Sequence, residues 1–196
     1  MMNQMADEIR EQIADSISVK EAVLANPQII LQLESLIELC LQSLKAGGKI
    51  IFAGNGGSFA DAQHLSAEFT SRFLLDRAPL PSLALGTNNS AISAIGNDYG
   101  FDQVFSRELE SIANSGDVFI PISTSGNSTN ILLATEVANR QGISTYGLSG
   151  NSGGKLQTLC QCICIPSANT ARIQECHIML GHILCKFVEA AYFRNV

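Results

Sequence analysis

From residue 49 onward the chain alternates short apolar runs with longer stretches of helical periodicity, and this alternation restricts the fold more than any other feature of the sequence. KIIFAG (49–54), SLAL (82–85), DVFIPI (117–122), ISTYGL (143–148) and CQCICI (160–165) read as strands. Helical stretches over about 58–75, 101–113, 128–141 and 170–193 lie between and after them. Strands this apolar are buried on both faces, so the expected class is α/β, a parallel sheet covered by helices on its two sides. Two further helices precede the first strand, over about 4–25 and 28–46. Ile9, Ile13 and Ile17 mark one apolar face, and Leu33, Leu36, Ile37, Leu41 and Leu44 the other. Pro27 opens the second helix and Gly47-Gly48 closes it. At 196 residues this is one domain, with residues 1–46 as leading helices and 49–193 as the α/β core.

Charge narrows the partners. Twelve basic against eighteen acidic residues give a net charge of −6, and no basic run offers a footprint for a nucleic acid backbone. A small anionic substrate remains compatible, because loops and helix N-termini hold phosphate without net positive charge. The first seventeen residues carry acids and lack an apolar centre, and no run of about 18 apolar residues occurs, so neither a secretory signal nor a membrane span is expected. A cytoplasmic protein is the expectation. In a reducing compartment the six cysteines are expected to be free thiols, with Cys160, Cys162 and Cys164 forming a stripe along one strand face. Charged residues make up only 15% of the chain, which hints at buried subunit contacts.

In open parallel sheets ligands sit where strands run into helix N-termini. Three loops meet that description: Gly54–Ser58, Gly86–Asn89 and Ser123–Ser128. The first, GNGGS, lets backbone N–H groups approach an anion, and Ser58 with Asp61 has capping-box spacing. A dinucleotide fingerprint fits poorly, because Phe59 stands where the third glycine would be needed. The loop Ser123-Thr124-Ser125-Gly126-Asn127-Ser128 places four hydroxyls after a buried strand, again as expected for phosphate. His64 and Glu68, about 40° apart on a helical wheel, leave one face of the helix after the glycine loop. Gln174 and His182, about 80° apart, can share a broad face of the last helix. Together they form a nitrogen and oxygen set suited to zinc. His177 lies about 140° from His182 and is expected to be structural or at the surface.

The ordered set GNGGS (54–58), AQHLSAEF (62–69), IGNDYGF (95–101), STSGNS (123–128) and RIQECH (172–177), with His182 beyond it, resembles the phosphoheptose isomerases over essentially the whole chain. The resemblance implies a three-layer sugar-isomerase (SIS) fold with a five-stranded parallel sheet, and a homotetramer with active sites at subunit interfaces. It implies interconversion of sedoheptulose 7-phosphate and glycero-manno-heptose 7-phosphate through an enediol, the first step toward nucleotide-activated heptose for lipopolysaccharide and other surface glycans. It also implies one Zn²⁺ per subunit on His64, Glu68, Gln174 and His182. Substrate contacts would fall on Asn55, Gly56, Gly57, Glu68, Asn97, Asp98, Ser123, Thr124, Ser125, Ser128 and Gln174, with Arg72 as a further contact. Glu68 is implied as the base for the C2-side proton and His182 as the acid–base partner opposite. The rival readings are a non-catalytic relative that binds the replication initiator, which would typically lack the equivalents of Glu68 and His182, and an isomerase of another sugar phosphate.

Overall fold

The computed structural model describes residues 2–194, with the side chains described from Gln4 onward. Two helices lead, α1 (Met2–Leu24) and α2 (Pro27–Lys45). The α/β core follows as β1 (Ile50–Gly54), α3 (Gly57–Thr70), β2 (Ser82–Ala84), α4 (Asn89–Tyr99), α5 (Val104–Ile112), β3 (Val118–Ser123), α6 (Thr129–Arg140), β4 (Ser144–Ser149), β5 (Gln161–Cys164) and α7 (Thr170–Phe193). Short 3₁₀ turns occupy Phe101–Gln103 and Leu156–Thr158. Among the described residues the strands form one parallel sheet in the order β2-β1-β3-β4-β5.

Period-two burial divides the core into two layers. In β1, Ile50 and Phe52 face α1, α2, α3 and α7, where they meet Val23, Leu33, Leu36, Leu65, Phe69 and Leu180. Ile51 and Ala53 face the other way, toward Val104, Phe105, Leu109, Ile131 and Ala134 of α5 and α6. The expected fold class is therefore the observed one. Strand order reverses at β1, which has β2 on one side and β3 on the other. The loops leaving β1 and β3 flank this switch point, where parallel sheets open a binding crevice.

Three local expectations need correction. The helix after the glycine loop ends at Thr70 and not near Leu75. Arg77 donates to the carbonyls of Glu68 and Phe69 (2.9 and 2.8 Å) and so closes the helix. The buried Glu189 carboxylate meanwhile takes the N–H groups of Phe73, Leu74 and Leu75 at 2.8 to 3.0 Å, which holds that segment out of helical register. The second correction is α4, which the periodicity of its sequence does not announce because none of its residues is fully buried. Asn88 caps it through the N–H of Ala91. Third, no capping box forms at α3. Gly56, at φ +56°, is the N-cap without a side-chain bond, and Ser58 lies inside the first turn.

Where α3 crosses α7, Gly181 packs directly on Leu65, and a Cβ there would lie 2.5 Å from the Leu65 side chain. On the outer side of α1, α2 and α7, large apolar residues stand exposed: Ile9, Ile13, Ile17, Leu24, Leu31 and Phe187. A groove of about 650 Å³ runs between these three helices. Among the described residues, no helix is long and apolar enough to cross a membrane.

Candidate active site

The two loops at the switch point are built on each other. Gly54 ends β1 with no room for a side chain, because a Cβ would come 2.3 Å from the Ser58 carbonyl oxygen. Asn55, next in line, exchanges a reciprocal pair of side-chain hydrogen bonds with the buried Asn130 of α6 (2.8 and 3.0 Å). Asn130 lies two residues beyond the hydroxyl loop, in the first turn of α6, so this pair ties the glycine loop to it. The sequence reading passed over Asn130. Within the hydroxyl loop, Ser123 Oγ and Ser128 Oγ lie 3.2 Å apart, and Ser125 Oγ accepts from the Asn127 N–H (3.1 Å). Thr124 and Ser128 are half-buried and Ser125 is exposed, so the hydroxyl row runs from the sheet end toward solvent. Gly126, at φ +65°, turns the loop against the Gly153 carbonyl.

Beside these loops three of the four side chains that the sequence set together come into contact range. His64 and Glu68 project from α3 and His182 from α7. Their ligand atoms all lie within 4.8 Å of one another. His64 Nε2 is 2.8 Å from His182 Nε2 and 3.2 Å from Glu68 Oε1. Phe73 stacks on the His182 ring at 5.8 Å between centroids and fixes its plane. Gln174, about two turns earlier on α7, lies against Gly57, where its amide fills the space that a Cβ would take. It therefore joins the terminal helix to the glycine loop.

Other sequence-derived candidates stand apart. Asn97 and Asp98 are exposed on α4, bonded to each other at 2.8 Å, and they line a shallow groove with Asn89, Ser90 and Ser93. Among the described residues no hydrogen bond joins either to the two loops, and Arg72 is exposed on the segment after α3. His177 is structural. It is fully buried with Nε2 3.1 Å from the Ser149 carbonyl at the end of β4, and burial pushes its pKa down to about 4. Its neutral ring braces the strand end from which the neighbouring loop leaves.

Sequence periodicity gave no hint of two features that shape the site. The Arg77–Glu189 pair, 2.7 Å apart with both side chains at most 3% exposed, clamps the segment that presents Phe73 to His182. Asp61, one turn before His64, has Oδ2 buried without a partner. Burial raises its pKa to about 6, although the nearby His64 acts in the opposite direction.

Comparison with known proteins places this geometry. Residues 8–150 match the SIS domain family. A phosphoheptose isomerase of Aneurinibacillus thermoaerophilus is 52% identical over 192 residues, 97% of each chain. One from Clostridium acetobutylicum is 47% identical over 96% of this chain and 97% of its own. Among solved structures, phosphoheptose isomerase GmhA of Neisseria gonorrhoeae superposes with a TM-score of 0.89 at 38% identity, covering 95% of this chain and 99% of that one. With the glycine loop, the hydroxyl loop and the paired helices α3 and α7 all in place, the chain belongs to the phosphoheptose isomerases of the SIS domain family.

Proposed function

We propose that this chain interconverts sedoheptulose 7-phosphate and glycero-manno-heptose 7-phosphate in the cytoplasm, supplying the first intermediate of nucleotide-activated heptose for lipopolysaccharide or another surface glycan. The observation that carries this reading is the meeting of His64, Glu68 and His182 from two helices distant in sequence, beside two anion-type loops. Two imidazoles and a carboxylate are a donor set that fits zinc, so His64, Glu68 and His182, joined by Gln174, would hold it. Bound there, the metal would polarise the sugar carbonyl and stabilise developing negative charge.

The remaining work falls to the chain's own groups. The backbone N–H groups of Gly56 and Gly57 and the hydroxyls of Ser123, Thr124, Ser125 and Ser128 hold the phosphate, aided by the α3 N-terminus. Holding that end fixes C1 and C2 of the sugar relative to α3 and α7. Glu68 takes the C2-side proton and returns it on the C1 side, while His182 moves the oxygen-bound proton on the opposite face. Phe73 keeps the His182 ring in the plane this transfer needs. Asn55 and Gln174 orient sugar hydroxyls from either side of the glycine loop.

Asn97 and Asp98 enter through assembly. Both are exposed and bonded to neither loop, as expected of groups given to a neighbouring copy's site. The apolar faces of α1, α2 and α7 supply the contact surface. We therefore read the working unit as a homotetramer with active sites at subunit interfaces.

The deciding experiment follows isomerisation of sedoheptulose 7-phosphate before and after chelation, with zinc content measured on protein purified without added metal. Turnover that falls on chelation and returns with zinc supports both the substrate and the metal. Full turnover in metal-free protein removes the metal from the reading. Absence of turnover in the zinc-loaded protein, with activity on a pentose or hexose phosphate, replaces the substrate.

A further inference from the structure

Cys160, Cys162 and Cys164 lie in and just before the edge strand β5, on the opposite sheet face from α7, and nothing in the isomerase reading uses them. All six cysteines are free thiols. Cys160 Sγ and Cys162 Sγ lie 3.8 Å apart. Two thiolates sharing one tetrahedral ion through bonds of about 2.3 Å are separated by roughly the same distance. The pair is also provided for by its surroundings. Gly147 of the adjacent strand leaves space for the Cys162 sulfur, since a Cβ there would come 2.7 Å from it. The Leu156 carbonyl oxygen, 3.7 Å from Cys160 Sγ, already accepts the N–H groups of Leu159 and Cys160, so water would complete the ion's coordination. Cys164 follows on the same face, with its thiol 4.0 Å from the Cys162 carbonyl. Cys162 is buried whereas Cys160 and Cys164 are partly exposed, which gives an ion an entry path. Gln32 covers the edge by donating to the Cys162 carbonyl at 3.0 Å, so this stretch is held in place.

We propose that Cys160 and Cys162 form a second metal site, for a thiophilic cation of the zinc and cadmium type, separate from the nitrogen and oxygen cluster at His64. Binding forms two sulfur–metal bonds and releases one proton from each thiol to solvent. Neither sulfur is oxidised or reduced. The alternative is an inert thiol pair packed along the strand.

Cadmium distinguishes the two, because thiolate coordination gives a sulfur-to-metal charge-transfer absorbance that imidazoles and carboxylates do not. Cd²⁺ alone is titrated into the reduced full-length chain. The expected result is a charge-transfer band that saturates at one thiolate-bound ion per chain, persists in His64→Ala, and is lost in both Cys160→Ser and Cys162→Ser. Should the buried Cys162→Ser fail to fold by circular dichroism, the partly exposed Cys160→Ser decides alone. A folded wild-type chain with no such band, or a band that survives Cys160→Ser, overturns the proposal. Neither result touches the isomerase reading, which rests on other residues.

Discussion

Glu68 and His182 reach the site from different helices, and each also touches His64, so their protein contacts overlap while their proposed chemical duties differ. Replacing Glu68 or His182 by Gln keeps the volume and a hydrogen-bonding end while removing the proton-transfer group. Each substitution is expected to lower turnover at least ~10²-fold, the scale of general acid–base contributions, with folding and sugar-phosphate binding retained. Turnover measured beside a binding titration checks it, and near-native turnover in either variant would remove that residue from the proton path. The sequence marked Glu68 well because its spacing from His64, four apart on α3, needs only helix geometry. It could not mark Asn130, Phe73 or Gly181, whose importance lies in what other segments bring to them. It also gave no way to separate the burial of His177 from that of His182 beyond an angle on a wheel.

At the level of elements, the segment between α3 and β2 is held by one carboxylate. Glu189 accepts three successive backbone N–H groups and the Arg77 guanidinium from within the core. Burial alone would raise its pKa, but these donors outweigh burial and hold it below the ordinary carboxylate value of 4.5. A carboxyl lowered on folding contributes stability above its unfolded pKa, and that contribution is lost as pH falls through the folded one. Glu189→Gln leaves Arg77 buried without its counter-charge, an imbalance that costs about 3–5 kcal/mol. The variant should melt earlier at neutral pH, and its deficit relative to wild type should narrow as the pH falls below the ordinary value of 4.5 and through the lower folded one. Thermal unfolding across that range tests it, and a constant deficit would mean that the carboxylate's charge is not what matters. This clamp explains why the sequence overran the helix: the residues to Leu75 suit a helix, and a group 114 residues away in sequence takes the N–H groups that would continue it. The central strands β1 and β3 were legible because every residue in them is buried, whereas α4, with no fully buried residue, left no periodic trace.

For the whole molecule, the sheet accounts for one arrangement of surfaces and the leading helices for another. The apolar residues of α1 first suggest a helix packed inward, yet Ile9, Ile13 and Ile17 are all more than half exposed, and Leu24 reaches 77%. On the proposed tetramer these side chains are covered by other copies. Leu24→Glu is expected to lower the sedimenting mass while far-UV circular dichroism stays the same, because the residue contributes little to the folded chain itself. An unchanged tetramer would assign the contact to another face. Gly181 acts at this scale too. The two long rods of the molecule cross at a spot where one of them has no side chain, and the imidazoles one position away on α7 and on the facing turn of α3 meet because of it. The gap that an ion would bridge is thus set by an omitted methyl group. Alanine at 181 would favour the helix locally by about 1 kcal/mol while prising the rods apart, so in this enzyme helical stability and the spacing of the two imidazoles are opposed at a single carbon.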